Sequence, residues 1–230
     1  MNRIMKYSNT LEFAREMDDK DPLREMKAQF FNPKTADGKD CIYFCGNSLG
    51  LQPRSARSWV EQIMNDWETQ AVEGHFKGEE PWVPYHERLA PAMAKIVGAK
   101  EAEVVLMNSL TVNLHLMMVS FYRPKPGRSK ILIEKNAFPS DQYAVKSQIE
   151  FHGFDAKDNL LELEPRSGET LLRTEDIVTR IEKEGEEIAL VMMGGLNYYT
   201  GQVYDMKTIT KVAHDQGCVV GFDLAHAVAN

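Results

Sequence analysis

From about residue 103 onward the chain alternates short, unbroken apolar runs with stretches of helical period, and no other feature constrains its fold as tightly. The runs are VVLMN (104–108), ILIE (131–134), LLELE (160–164), IALVMM (188–193) and CVVGFD (218–223). Helical patterns near 112–121, 142–151, 175–184 and 206–215 follow the first four in turn. A strand that is apolar on consecutive residues must be covered on both faces. Helices threaded between such strands therefore imply an α/β fold with a mainly parallel sheet flanked by helices.

The segment before residue 103 is organised differently. A helix is expected over 11–30, followed by a loop at NPKTADGKD (32–40) and a short apolar run at 41–45. Pro53 and Ser55 then open a helix whose Trp59, Val60, Ile63, Met64 and Trp67 fall on one stripe, read as a core-facing surface. The next helix, 86–97, ends at Gly98, a position that suits a left-handed cap. No internal repeat or low-complexity segment interrupts the chain.

Composition narrows the classes of function. A chain of 230 residues, 43% hydrophobic and 27% charged, can bury one well-formed core. The net charge of -7, with no block of Lys or Arg, disfavours a nucleic-acid partner, which needs a concentrated positive footprint. The opening MNRIMKYSNTLEFAREMDDKD is too densely charged for a secretory signal, and no run has the length of a membrane span; a cytoplasmic, membrane-free protein is expected. Cys41, Cys45 and Cys218 are odd in number and lack zinc spacing, so they read as reduced thiols packed as small hydrophobes.

In an open parallel sheet, ligands bind beyond the carboxyl ends of the strands. After the first run come Asn108, Ser109, Leu110 and Thr111, where Ser109 can cap a helix and free N–H groups can hold an anion; plain capping is the alternative. After the second come Phe138, Pro139, Ser140 and Asp141: an aromatic on a rigid turn, able to stack on a flat ring or merely to cover the core. GGLNYYTG (194–201) offers glycines for close backbone approach and two phenols. Asp223 at the inner end of the last run is costly unless a cation or strong donors meet it, and a protonated pyridine nitrogen is one such cation, with His226 three residues on. A metal pair and a turn-capping Asp are the alternatives, and no third ligand stands at helical spacing among the six histidines. Neither G-x-G-x-x-G after a strand nor G-x-x-x-x-G-K-[ST] occurs.

Six strings in order, GNSLGLQP (46–53), GHF…PW (74–82), MNSLTVNLHL (107–116), FPSD (138–141), YYTGQ (198–202) and GFDLAHAVAN (221–230), together resemble the kynureninase family. The resemblance implies the N-terminal portion of a pyridoxal 5'-phosphate (PLP) enzyme of fold type I, like aspartate aminotransferase, with the large domain incomplete at its C-terminus. It implies a cytoplasmic homodimer when full length. The reaction implied is hydrolysis of L-kynurenine and/or 3-hydroxy-L-kynurenine to anthranilate or 3-hydroxyanthranilate plus L-alanine, in tryptophan catabolism and NAD biosynthesis. Residues 1–45 would join the small domain and dimer contacts, and 46–230 would form the N-terminal part of the PLP-binding domain. By matching motif, Leu110 and Thr111 would hold the phosphate side and Phe138 would stack on the ring. Pro139, Ser140 and Asp141 would line the pocket, Asp223 would face the pyridine nitrogen with His226 beside it, and Ser48 and His75 would lie near the substrate. Some members carry Ser or Thr where this chain has Gly194, so a phosphate-binding hydroxyl is lost there.

The family's cofactor-anchoring lysine lies a few tens of residues beyond the DLAHA string, past Asn230, so no catalytic residue is expected within this chain. Alone it is expected to be inactive, aggregation-prone at its unpaired sheet edges and without a specific lysine adduct of PLP. Its first strand is expected to lose its neighbours. The alternative is a non-catalytic truncated product that at most binds a partner subunit.

Overall fold

The computed structural model describes residues 7–229, and the chain divides into two compact units between Val83 and Pro84.

In the first unit, helix α1 (Leu11–Lys20) starts at Thr10, whose hydroxyl oxygen accepts from Phe13 N at 3.3 Å. It stops at Asp21, because the residue before a proline is pushed out of the helical region; Asp21 has ψ 117 and Pro22 follows. A 3-10 turn, Arg24–Gln29, comes next, so the single helix expected over 11–30 is two short ones. The run at 41–45 forms no strand.

Helix α2 (Ala56–Gln70) forms where its period places it, but its stripe is not core. Trp59, Val60, Met64 and Trp67 are each more than half exposed, and the helix buries only Asp66. A 3.6-residue stripe specifies a face and leaves open what covers it. Among its described residues this unit contains no buried hydrophobic side chain against which α2 could close. Ile63 and Trp67 instead line an open apolar hollow with Trp82. The expectation of packed thiols holds for buried Cys218 alone, since Cys45 is exposed and Cys41 partly so.

The second unit is built around a parallel sheet. Its elements are α3 (Tyr85–Val97), α4 (Leu110–Phe121), β1 (Lys130–Glu134), α5 (Pro139–Phe151), α6 (Ala156–Asn159), β2 (Leu160–Leu163), α7 (Thr174–Glu184), β3 (Ile188–Gly194), α8 (Met206–Asp215) and β4 (Val219–Asp223). Gly98 closes α3 in the left-handed region at φ 68, returning its N–H to Ala94 O. The strand order is β2-β1-β3-β4, all parallel. The strand expected at 104–108 does not form: Val104 is extended, yet the segment pairs with no strand among the described residues. An extended segment becomes a strand only when a neighbouring edge takes up its backbone donors and acceptors.

Alternation along β1 shows how the sheet is covered. Ile131 and Ile133 enter a core with Leu114 and Met118 of α4 and Val145 and Ile149 of α5. Leu132 enters the opposite core, with Ile177 and Ile181 of α7 and Ile209 and Ala213 of α8. On β3 the alternation slips once. Lys130 pairs Ile188 and Ile131 pairs Leu190, so β3 carries one extra residue, and Ala189 and Leu190 consequently both enter the α4/α5 core. That bulge keeps Val191 and Met193 on the α7/α8 side, in step with Leu132.

Candidate active site

The order reverses at the junction of β1 and β3: the chain passes from β1 to β2 on one side, then places β3 and β4 on the other. Side chains beyond the carboxyl ends converge on such a switch point. Glu134 ends β1, Gly194 ends β3, and Asp223 ends β4, paired in register with Gly194. These three line one cleft with Phe138, Asp141, Leu196, Tyr198 and His226.

Each wall has a local cause. Phe138 occupies the N-cap of α5 and Pro139 its first turn, where a missing N–H costs nothing. One turn in, this fixes Asp141, buried at 5% exposure, with its Oδ1 accepting from Ser140 Oγ at 3.2 Å. The loop after β3 is folded on buried Asn197, whose side-chain oxygen accepts from Tyr199 N, Thr200 N and Thr200 Oγ1 at 3.0–3.1 Å. That turn holds the Tyr198 ring 5.1 Å from Phe138 and 6.0 Å from His226, and Phe138 lies 5.7 Å from His226. Three rings thus stand beside the carboxyl groups. Asp223 Oδ1 accepts from Ala225 N at 2.7 Å, so this carboxyl does cap the turn after β4 while facing the cleft.

The electrostatics are unusual for their uniform sign. Burial pushes the Glu134 carboxyl up to about 7; backbone N–H groups oppose the rise and the charge of Asp223 adds to it. Burial also takes Asp141 up to about 7, followed by the charge of Asp223 and a hydrogen bond with it, against one from Ser140. A carboxyl–carboxyl hydrogen bond requires a proton, and the rise at Asp141 favours holding it there. What opposes these rises is hydrogen bonding, not a lysine or arginine. Tyr204, buried beside them, is pushed up by burial and then by the charge of Glu134.

Phe138, Asp141, Asp223 and His226 therefore meet in one cleft, while Pro139 and Ser140 lie in the first turn of α5 and are not among its lining residues. Leu110 and Thr111 form the exposed first turn of α4 and do not line it. Ser109 takes the N-cap conformation without a side-chain cap bond, so the expected hydroxyl cap is absent. Ser48 and His75 belong to the first unit. Ser48 is exposed on a turn; His75 sits in a 3-10 segment with its Nδ1 3.0 Å from Val72 O and its ring edge-on to Trp82 at 5.2 Å. Sequence reasoning passed over Glu134. It is the last residue of ILIE, and a charge closing a fully apolar run was the signal that could have found it.

A kynureninase from Flavobacterium psychrophilum is 58% identical over 226 residues, 98% of this chain and 53% of the relative. The chain is similar to kynureninases over almost all of its length. A kynureninase from Nematostella vectensis is 55% identical over 95% of the chain, and one from Mus musculus 46% over 94%. The chain spans about half the length of these curated relatives. No protein-family model matches it. Among solved structures, a cysteine desulfurase from Escherichia coli superposes with a TM-score of 0.63 at 17% identity, covering 86% of this chain and 47% of that one. A cysteine desulfurase from Thermococcus onnurineus gives 0.56 at 18%, covering 91% and 47%. A C-DES variant with glycine covalently linked to its PLP cofactor gives 0.60 at 16%, covering 80% and 47%. The fold is shared with these solved structures, and in sequence the chain is more similar to the curated kynureninases.

Proposed function

We propose that this chain carries the PLP-binding portion of a kynureninase, a homodimeric cytoplasmic hydrolase when complete. It would act on L-kynurenine and/or 3-hydroxy-L-kynurenine and water to give anthranilate or 3-hydroxyanthranilate and L-alanine. The observation that carries the reading is the Asp141–Asp223 carboxyl pair at the switch point, walled by Phe138 and His226 and, among the described residues, opposed by no lysine or arginine charge. A carboxyl pair of this kind is relieved by a flat cation, and a protonated pyridine ring is one. The residues present fit the group on that ground.

Bound there, PLP supplies an electron sink for the bond broken at the amino-acid substrate. Asp223 would face the ring nitrogen and hold the proton there. Asp141, held neutral by burial, would keep a second charge out of the cleft. Phe138 would stack on the ring, with Pro139 and Ser140 lining the pocket, and His226 would lie beside Asp223. Leu110 and Thr111, at the start of α4, would hold the phosphate through N–H groups of the first helical turn and the threonine hydroxyl. Ser48 and His75 would touch the substrate. Among the described residues no lysine lines the cleft.

The test is turnover of the complete enzyme. Asp223→Ala should lower it by orders of magnitude with little loss of fold stability; near-normal turnover with an unchanged cofactor spectrum would remove Asp223 from its role.

A further inference from the structure

Glu134 is buried at 3% exposure, yet no helix cap or core packing requires a carboxyl there. Both of its oxygens accept from a single donor, Gly194 N, at 3.2 and 3.3 Å. A Cβ built on Gly194 would lie 3.1 Å from Glu134 Oε1 and 3.1 Å from Leu196 O, so the carboxyl occupies space that a side chain at 194 would need. Gly194 is in turn the register partner of Asp223. The carboxyl therefore ties the end of β1 to the end of β3 directly beside the end of β4.

We propose that Glu134 is a positioning residue that, clamped on the Gly194 amide, controls whether Asp141 across the cleft keeps its proton. Neutral, Glu134 lets Asp141 give up its proton; charged, it keeps Asp141 neutral, so that Asp223 alone faces a cationic ring. That last step rests on the function proposed above. The titratable groups facing it are Asp141 from α5, Asp223 at the end of β4, His226 beyond it, and Tyr198 and Tyr204 from the segment after β3. Neighbouring Lys135 does not enter, being exposed and paired with Glu164 at 2.6 Å. Burial places the Glu134 midpoint near 7, where its charge can switch.

The experiment follows the Gly194 amide and the carboxyl carbons by NMR of this chain between pH 5 and 9. The Gly194 amide should titrate with a midpoint near 7. In Glu134→Gln that titration should be lost while the amide stays protected from exchange, because the Gln oxygen still accepts. The Asp141 midpoint should fall, because a facing charge is gone. Gly194→Ser should disturb the cleft, because its Cβ would crowd Glu134 Oε1 and Leu196 O. Persistence of the Gly194 titration in Glu134→Gln, or an unmoved Asp141 midpoint, would overturn the proposal. These readings need no cofactor. Failure of the parent chain to bind PLP in equilibrium dialysis would instead strike the functional reading, and the titrations would still decide the role of Glu134.

Discussion

Every buried hydrophobic side chain among the described residues belongs to the second compact unit, where β1 and β3 send alternate side chains into cores on opposite faces. In the first unit the Trp59–Trp67 stripe forms a helix and stays exposed. Both units present apolar residues at helical spacing. The difference teaches that periodicity fixes a helix and its orientation, whereas burial needs a second apolar surface. The second unit carries that surface within itself, and the site grows from it: the layer that buries Ile131, Leu132 and Ile133 is the layer that delivers Glu134 to the cleft.

If this contrast is right, Ile131→Ala should cost about 2–5 kcal/mol of stability through lost burial and the cavity left behind. Trp59→Ala should stay within about 0.5 kcal/mol, as for an exposed side chain. Urea unfolding of the two variants compares them directly, and equal losses would mean that α2 is packed in solution. A pH effect comes next and should belong to the second unit. Glu134 and Asp141 both have folded-state values near 7, above their unfolded values, so folding binds protons. The stabilisation is full below about pH 4 and is lost as pH rises through 7. For Glu134 the loss is on the order of 3 kcal/mol, and it does not simply add to that of Asp141, because Asp223 links the two. Unfolding midpoints at pH 5 and pH 8 should differ in this sense, and Glu134→Gln should flatten the difference.

Smaller effects sharpen the site. Phe138→Ala should weaken PLP affinity by about 1–3 kcal/mol through lost stacking and apolar contact, and Thr111→Val by a similar amount through a lost charge-assisted hydrogen bond. Equilibrium dialysis showing no change for either would take both out of the site. The smallest expected change lies in the first unit, at His75. In the complete enzyme His75→Phe should shift the preference between kynurenine and 3-hydroxykynurenine more than it shifts PLP binding, and an unchanged ratio would leave His75 a surface residue beside Trp82.

The sheet was legible because continuous apolar runs report burial on two faces, and 131–134, 188–193 and 218–223 became β1, β3 and β4 within a residue or two. The strand expected at 104–108 was not legible, because pairing depends on an edge elsewhere in the chain and no local pattern encodes it. The break at Asp21 could have been read from Pro22; the slip at Ala189 could not, since alanine gives no period of its own. Within the site, Asp223 stood out as a carboxyl closing an apolar run, whereas Asp141 read as a capping side chain and was assigned to the pocket only by the family resemblance. Glu134 also closes an apolar run, but its role emerges only when three strand ends are placed side by side.

The most direct test of the account is the nitrogen shift of PLP labelled with 15N in its ring, bound to this chain at pH 8. A ring nitrogen held by Asp223 should show the shift of a protonated pyridine, and Asp223→Ala should return it to the neutral value while the cofactor stays bound at raised concentration. A neutral-type shift in the parent, or a protonated shift that survives Asp223→Ala, would contradict the claim that the carboxyl at the end of β4 is built to meet a pyridinium cation.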